Sequence, residues 1–265
     1  MRHLGILHKM STLYVNPVEY HLKFNNDEVI VNQLLGKEIQ LRWTGNIYCT
    51  ICGRKTKKSF GEGLCYPCFA NAPENAECIL RPELCKAHLH QGRDPEWEER
   101  THNQPHFVYL ALTNEVKVGV TRNTQIPTRW IDQGAAKAII LAETPYRQLA
   151  GAIEVFLKQY LSDKTHWSKM LMNTPAQEID LLSKKNSVAA LLPDEYKQYI
   201  STNNEVLELA YPVLNYPTKV TSIGLEKHPN IQLPLNGIRG QYFLFEGGTV
   251  INIRKHSGFE IEFIA

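Results

Sequence analysis

Phe107-Val108-Tyr109-Leu110-Ala111-Leu112, then Thr113-Asn114-Glu115, then Val116-Lys117-Val118-Gly119-Val120 is the stretch on which the fold turns. Two short runs rich in β-branched and aromatic residues flank a polar tripeptide, which is the signature of an antiparallel hairpin. The period then changes. Between Pro145 and Leu161, Leu149, Ile153, Phe156, Leu157, Tyr160 and Leu161 recur at helical spacing, so an amphipathic helix is expected to pack on the hairpin. Thr144 is the expected cap of that helix, with Pro145 in its first turn. A second helix is expected over 174–192, capped by Thr174 ahead of Pro175 and ending before Pro193.

Upstream, Tyr14, Val18, Tyr20, Leu22 and Phe24 alternate with polar residues, and Ile39, Leu41 and Trp43 do so again before Tyr48. Downstream, Tyr242–Phe245, the turn Glu246-Gly247-Gly248, Val250–Ile253 and Phe259–Ile264 describe another meander. The fold class expected is therefore α+β. An N-terminal antiparallel β unit occupies 1–48, a zinc-binding region 49–104, a hairpin core with helical extension 105–210, and a C-terminal antiparallel β unit 211–265. The last unit is free to pack with the first.

Between the first unit and the hairpin lie Cys49-Thr50-Ile51-Cys52 and, after twelve residues, Cys65-Tyr66-Pro67-Cys68. Two close pairs of thiolates can turn four sulfurs toward one tetrahedral centre, so Cys49, Cys52, Cys65 and Cys68 are read as a structural zinc ribbon. A redox-active pair would instead open a helix after a strand. Arg54, Lys55, Lys57 and Lys58 crowd the loop against Glu62 alone, a pattern that suits phosphate contact and equally a solvated loop. Cys78 and Cys85, followed by His88 with C-x-x-H spacing, offer a second zinc site whose fourth ligand is undetermined. The alternative is two buried reduced cysteines among solvent-facing histidines.

Bulk properties narrow the class. A chain of 265 residues with 43% hydrophobic and 21% charged residues can bury a real core and is not disordered. Its net charge of +2 names no partner. Six cysteines without an apolar leader or an apolar run of about 18 residues give the expectation of a reducing, cytoplasmic compartment with no membrane contact.

Val108-Tyr109-Leu110, then Lys117-Val118-Gly119, then Arg129 and then Glu154 on a helix resemble the core of the GIY-YIG nuclease superfamily. In that pattern a hairpin presents two tripeptides, an arginine follows the second, and a helix supplies a metal-binding glutamate. The resemblance implies that Tyr109 positions the attacking water, Arg129 and Lys117 contact phosphate, and Glu154 holds magnesium or manganese. It implies nucleic acid, DNA or RNA, as partner. The chain departs from the pattern at Lys117, which stands in place of a tyrosine, and at Gln133, where His or Tyr often follows the arginine. A non-catalytic nucleic-acid or protein-binding module is the competing reading. A third is a different enzyme that uses His102 or His106 as its acid or base.

A wider resemblance runs through Ile47-Tyr48-Cys49-Thr50-Ile51-Cys52-Gly53-Arg54, Asn103-Gln104-Pro105-His106-Phe107, Thr128-Arg129-Trp130-Ile131-Asp132-Gln133-Gly134-Ala135 and Asn252-Ile253-Arg254-Lys255-His256. These stretches look like the bacterial family called domain of unknown function 2797. That family brings no assigned activity. It implies that ribbon, hairpin core and final β unit belong to one protein.

Overall fold

The computed structural model describes residues 1–162, 164–174 and 179–265. Helices and antiparallel sheets coexist in it, an α+β architecture. The chain divides into two compact units. One comprises 1–70, 171–173 and 210–265, and the other 71–170 and 174–209.

The first unit is built on a sheet whose order interleaves the two ends of the chain: Arg2–Ile6, Phe259–Ile264, Glu38–Tyr48, Asn230–Arg239, Tyr242–Phe245, Thr249–Asn252 and Thr221–Ile223, with Lys55–Thr56 also paired to Glu38–Tyr48. Only the Thr221–Ile223 pairing is parallel among these. Glu38–Tyr48 is buried at Ile39, Leu41 and Ile47, where Leu41 and Ile47 pair with Phe263 and Phe259 of one neighbour strand and Ile39 with Leu233 of the other. A separate three-stranded sheet, Ser11–Leu13, Glu19–Lys23 and Glu28–Ile30, buries Tyr20 and Leu22.

One buried residue in this unit sets a pH limit on it. His256 Nδ1 donates to the Asn252 carbonyl at 2.7 Å, and its Nε2 accepts from the Leu225 N–H at 3.1 Å, so the neutral tautomer is the one that fits. Burial holds its pKa below the ordinary histidine value, and the nearby Asn252 carbonyl offsets this only in part. The unfolded chain therefore binds the proton first as pH falls. Stability is complete above about pH 6.5 and declines below it, by at most about 1.4 kcal/mol per pH unit. Urea unfolding near neutrality and near pH 5 should show a larger acid loss for the wild-type chain than for His256→Gln.

The second unit carries a four-stranded sheet in the order Leu207–Glu208, Lys137–Thr144, His106–Leu112, Val116–Arg122. The expected hairpin is there, and its first strand is the inner one. Lys137–Thr144, a strand that no element expected from the sequence covers, pairs with that strand on its other side. Ala138, Ile139, Leu141 and Ala142 are fully buried, so this strand is apolar on both faces and shows no alternation. The helix Arg147–Leu157 packs on the sheet through Ala150, Ile153 and Leu157.

Thr144 is not the cap of that helix. It ends the strand, and its hydroxyl donates to the carbonyls of His106 at 3.0 Å and Tyr146 at 3.1 Å, while Tyr146 takes the cap position. The second expected helix is found over Leu181–Ala189 with Asp180 as its cap, whose carboxylate accepts from the Leu182 N–H at 2.9 Å. The Pro175 part of that expectation lies outside the described residues. Among the described residues, no helix is long and apolar enough to cross a membrane.

Candidate metal centres and a cationic cavity

In the first unit the strand Glu38–Tyr48 delivers Cys49 directly, and a tight turn closes with the Gly53 N–H on the Cys49 carbonyl at 2.9 Å. The returning strand pair Phe60 and Leu64 brings Cys65 in, and the Tyr66–Asn71 helix presents Cys68. The sulfurs of Cys49, Cys52, Cys65 and Cys68 lie within 4.8 Å of one another, with Cys52 and Cys65 3.7 Å apart. All six cysteines of the chain are free thiols.

Four thiols at this spacing cannot all ionise without a cation among them. Burial opposes ionisation of Cys49, but N–H groups of Cys52, Cys65 and Ile51 outweigh it and bring its pKa to about 6, whereas burial and the neighbouring sulfurs push Cys68 up to about 12. An all-sulfur, four-ligand set suits zinc, which would supply the missing positive charge. Around it, Arg54, Lys55, Lys57 and Lys58 are exposed, and so is Tyr66.

A second group forms in the other unit. Cys78, Cys85, Glu98 and His102 offer ligand atoms within 4.8 Å of one another, and all four side chains are buried. His102 Nδ1 lies 3.6 Å from Cys85 Sγ and 4.0 Å from Cys78 Sγ. Glu98 and His102 are four residues apart at the end of the Pro95–Thr101 helix, so both point from one face. Asp94 starts that helix by accepting from the Trp97 N–H at 2.9 Å. The hydrogen bond between the two sulfurs favours thiolate at Cys85, lowered to about 4, and raises Cys78.

Two thiolates, an imidazole and a carboxylate form a donor set that zinc accepts. His88 is placed differently: its ring stacks on Tyr146 at 4.6 Å. The signal that would have found Glu98 and His102 is their i, i+4 spacing behind a capped helix start.

The residues of the hairpin core converge. Tyr109, Lys117, Arg129, Gln133, Arg147 and Glu154 line one cavity of about 380 Å³ in the second unit. Tyr109 comes from the inner strand and is fully buried, its ring edge-on to Trp130 at 6.0 Å and its hydroxyl donating to Gln133 Oε1 at 3.0 Å. Burial raises its pKa against the pull of the Arg129 charge, so Tyr109 is a neutral phenol. Gly119, opposite it on the hairpin, makes room for the phenol: a Cβ there would lie 2.6 Å from the tyrosine oxygen.

Lys117, 5% exposed, donates from Nζ to Thr165 Oγ1 at 2.8 Å. Arg129 stands on the short helix Thr128–Asp132. Glu154, 8% exposed, pairs with Lys158 at 3.3 Å one helical turn on. Arg122 also lines the wall, so cations outnumber carboxylates there, and the cavity is suited to an anion. His106 is not among the lining residues. Burial drives its pKa to about 3, despite the Gln104 carbonyl that accepts from its Nδ1 at 2.7 Å, which removes it as an acid or base near neutrality.

The family model described as Protein of unknown function (DUF2797) matches residues 36–261, and the chain belongs to that family. No curated protein and no solved structure matches it.

Proposed function

We propose that the chain is a zinc-containing nucleic-acid-binding protein whose second unit is a GIY-YIG-like core acting as a divalent-metal-dependent phosphodiesterase. The observation that carries this reading is the convergence of Tyr109, Lys117, Arg129 and Glu154 on one concave, cationic surface. The strand order supports it as well, because the tyrosine-bearing strand is inner, the hairpin partner carries Lys117 and Gly119, and Arg129 and Glu154 stand on the two helices that follow in sequence.

In this reading Lys117 and Arg129 neutralise the phosphate oxygens, and they gain most where charge accumulates in the transition state. Tyr109, held by Gln133, orients the attacking water through its hydroxyl. Glu154 fits a hard cation, since magnesium takes one or two protein carboxylates and completes its shell with water and phosphate oxygen. A magnesium or manganese ion bound there supplies Lewis-acid stabilisation of the scissile phosphate. The Cys49 quartet is a structural zinc ribbon, and its exposed lysines and arginine add non-specific contact with the backbone phosphates.

Incubation of the full chain with branched, single-stranded and duplex DNA and with RNA, with magnesium or manganese added, is expected to yield metal-dependent strand cleavage. Binding without cleavage of any of them would leave the non-catalytic module. The commitment of the Tyr109 O–H proton to Gln133 is the observation that favours that alternative.

A further inference from the structure

The segment 71–104 contributes little apolar core of its own. A buried cluster in it consists of Ala76, Cys78, Cys85 and Ala87 with Ile79 against it, so half of that cluster is the pair of cysteines. At about 25 cal/mol per Å² such small side chains cannot hold a polar loop in place. The loop is nonetheless held tightly against the helix Arg147–Leu157, at two points. Arg147 Nε and Nη2 donate to the Cys78 carbonyl at 3.1 and 3.0 Å, and Nη2 donates to the Ile79 carbonyl at 2.9 Å.

One turn further, the backbone of Pro82 and Glu83 lies so close to Gly151 that a Cβ there would sit 2.5 Å from the Pro82 carbonyl carbon and 2.3 Å from the Glu83 nitrogen. Arg147, Gly151 and Glu154 follow at i, i+4 and i+7, on one helix face. The same loop walls the cavity with Ile79, Leu80 and Pro82, and His102 and Trp97 complete that wall.

We infer that a zinc ion at Cys78, Cys85, Glu98 and His102 is a clamp that docks the Cys78–Cys85 loop onto the Glu154-bearing helix, so that occupancy of this second site controls closure of the cavity. The two cysteines bracket the segment that touches Arg147 and Gly151, and the other two ligands come from the helix that supplies Trp97. Binding all four to one ion fixes both parts of the wall together, and metal binding becomes local folding. The inference rests on the phosphodiester reading only for what the cavity binds.

Coupling of this kind is reciprocal. Gly151→Ala touches no ligand and raises helix propensity, yet it forces the loop away. In the full chain, competition with a zinc chelator is expected to show the second zinc bound at least about tenfold more weakly in Gly151→Ala, with the Cys49 quartet unchanged. In His102→Ala, or after the second zinc is stripped from wild type, amide hydrogen exchange across 147–157 is expected to rise about tenfold or more, while the inner strand His106–Leu112 stays protected. Wild-type zinc affinity in Gly151→Ala, or unchanged exchange across 147–157 on loss of the second zinc, would overturn the clamp. Neither readout uses nucleic acid. A failed clamp therefore leaves the phosphodiester reading intact, and a failure to cleave leaves the clamp intact.

Discussion

Glu154→Gln is expected to lower metal-dependent cleavage by about 10³-fold while nucleic-acid affinity changes only a few-fold. The substitution preserves side-chain shape and hydrogen bonding but removes the one negative charge that the hairpin core offers a divalent ion from the helix Arg147–Leu157. A loss of about 10³ corresponds to about 4 kcal/mol of transition-state stabilisation. The Glu154 pair with Lys158 is a helical i, i+4 contact whose cation is 30% exposed and can turn to solvent, so that pair itself contributes about 0.5 kcal/mol of stability. Comparing single-turnover cleavage with urea unfolding of the same variant separates the two effects.

Cys65→Ser is expected to reduce zinc by one ion per chain and to destabilise the first unit by several kcal/mol. Cys65 is 3% exposed and lies among the other three sulfurs, and a serine hydroxyl is a far poorer zinc ligand than a thiolate. The damage should not stay in the loop. The Thr50 N–H donates to the Gly63 carbonyl at 2.9 Å, the Tyr48 N–H to the Gly258 carbonyl at 2.7 Å, and Arg254 pairs with Glu62 at 2.6 Å, so the loop that carries the four cysteines is stitched to the turn that precedes the last strand. Cys52→Ser, at an exposed cysteine, removes the same ligand count with little lost packing. Equal loss of zinc in the two variants, with a larger fall in unfolding midpoint for Cys65→Ser, separates the metal contribution from the burial contribution.

The parts of this fold that were legible in the sequence are those with a local mark, a polar turn beside a strand or an apolar stripe along a helix. The hairpin His106–Leu112 and Val116–Arg122 has a polar turn, the Phe259–Ile264 strand has a polar turn before it, and the helix Arg147–Leu157 has a single buried stripe. The strand Lys137–Thr144 was not legible, because burial on both faces erases the period by which a strand is recognised. The start of the long helix was misread because a threonine before a proline fits a cap locally, whereas pairing with His106 carries the sheet through Thr144. Among the metal ligands, C-x-x-C pairs declare themselves by spacing along the chain. Glu98 and His102 meet Cys78 and Cys85 only through the fold, and His88, nearer in sequence, turns to Tyr146. The convergence of Tyr109, Lys117, Arg129 and Glu154 on one cavity required the sheet order, which no local pattern encodes.

Whether this cavity binds and cuts a phosphodiester is read from product release from labelled DNA and RNA strands by wild type, Arg129→Ala and Glu154→Ala, with binding monitored in parallel. Wild type is expected to cleave in dependence on magnesium or manganese, and both variants to lose cleavage, with Glu154→Ala still bound to its substrate. Absence of metal-dependent cleavage of every substrate, together with binding indifferent to Glu154→Ala and Arg129→Ala, would contradict the phosphodiester reading.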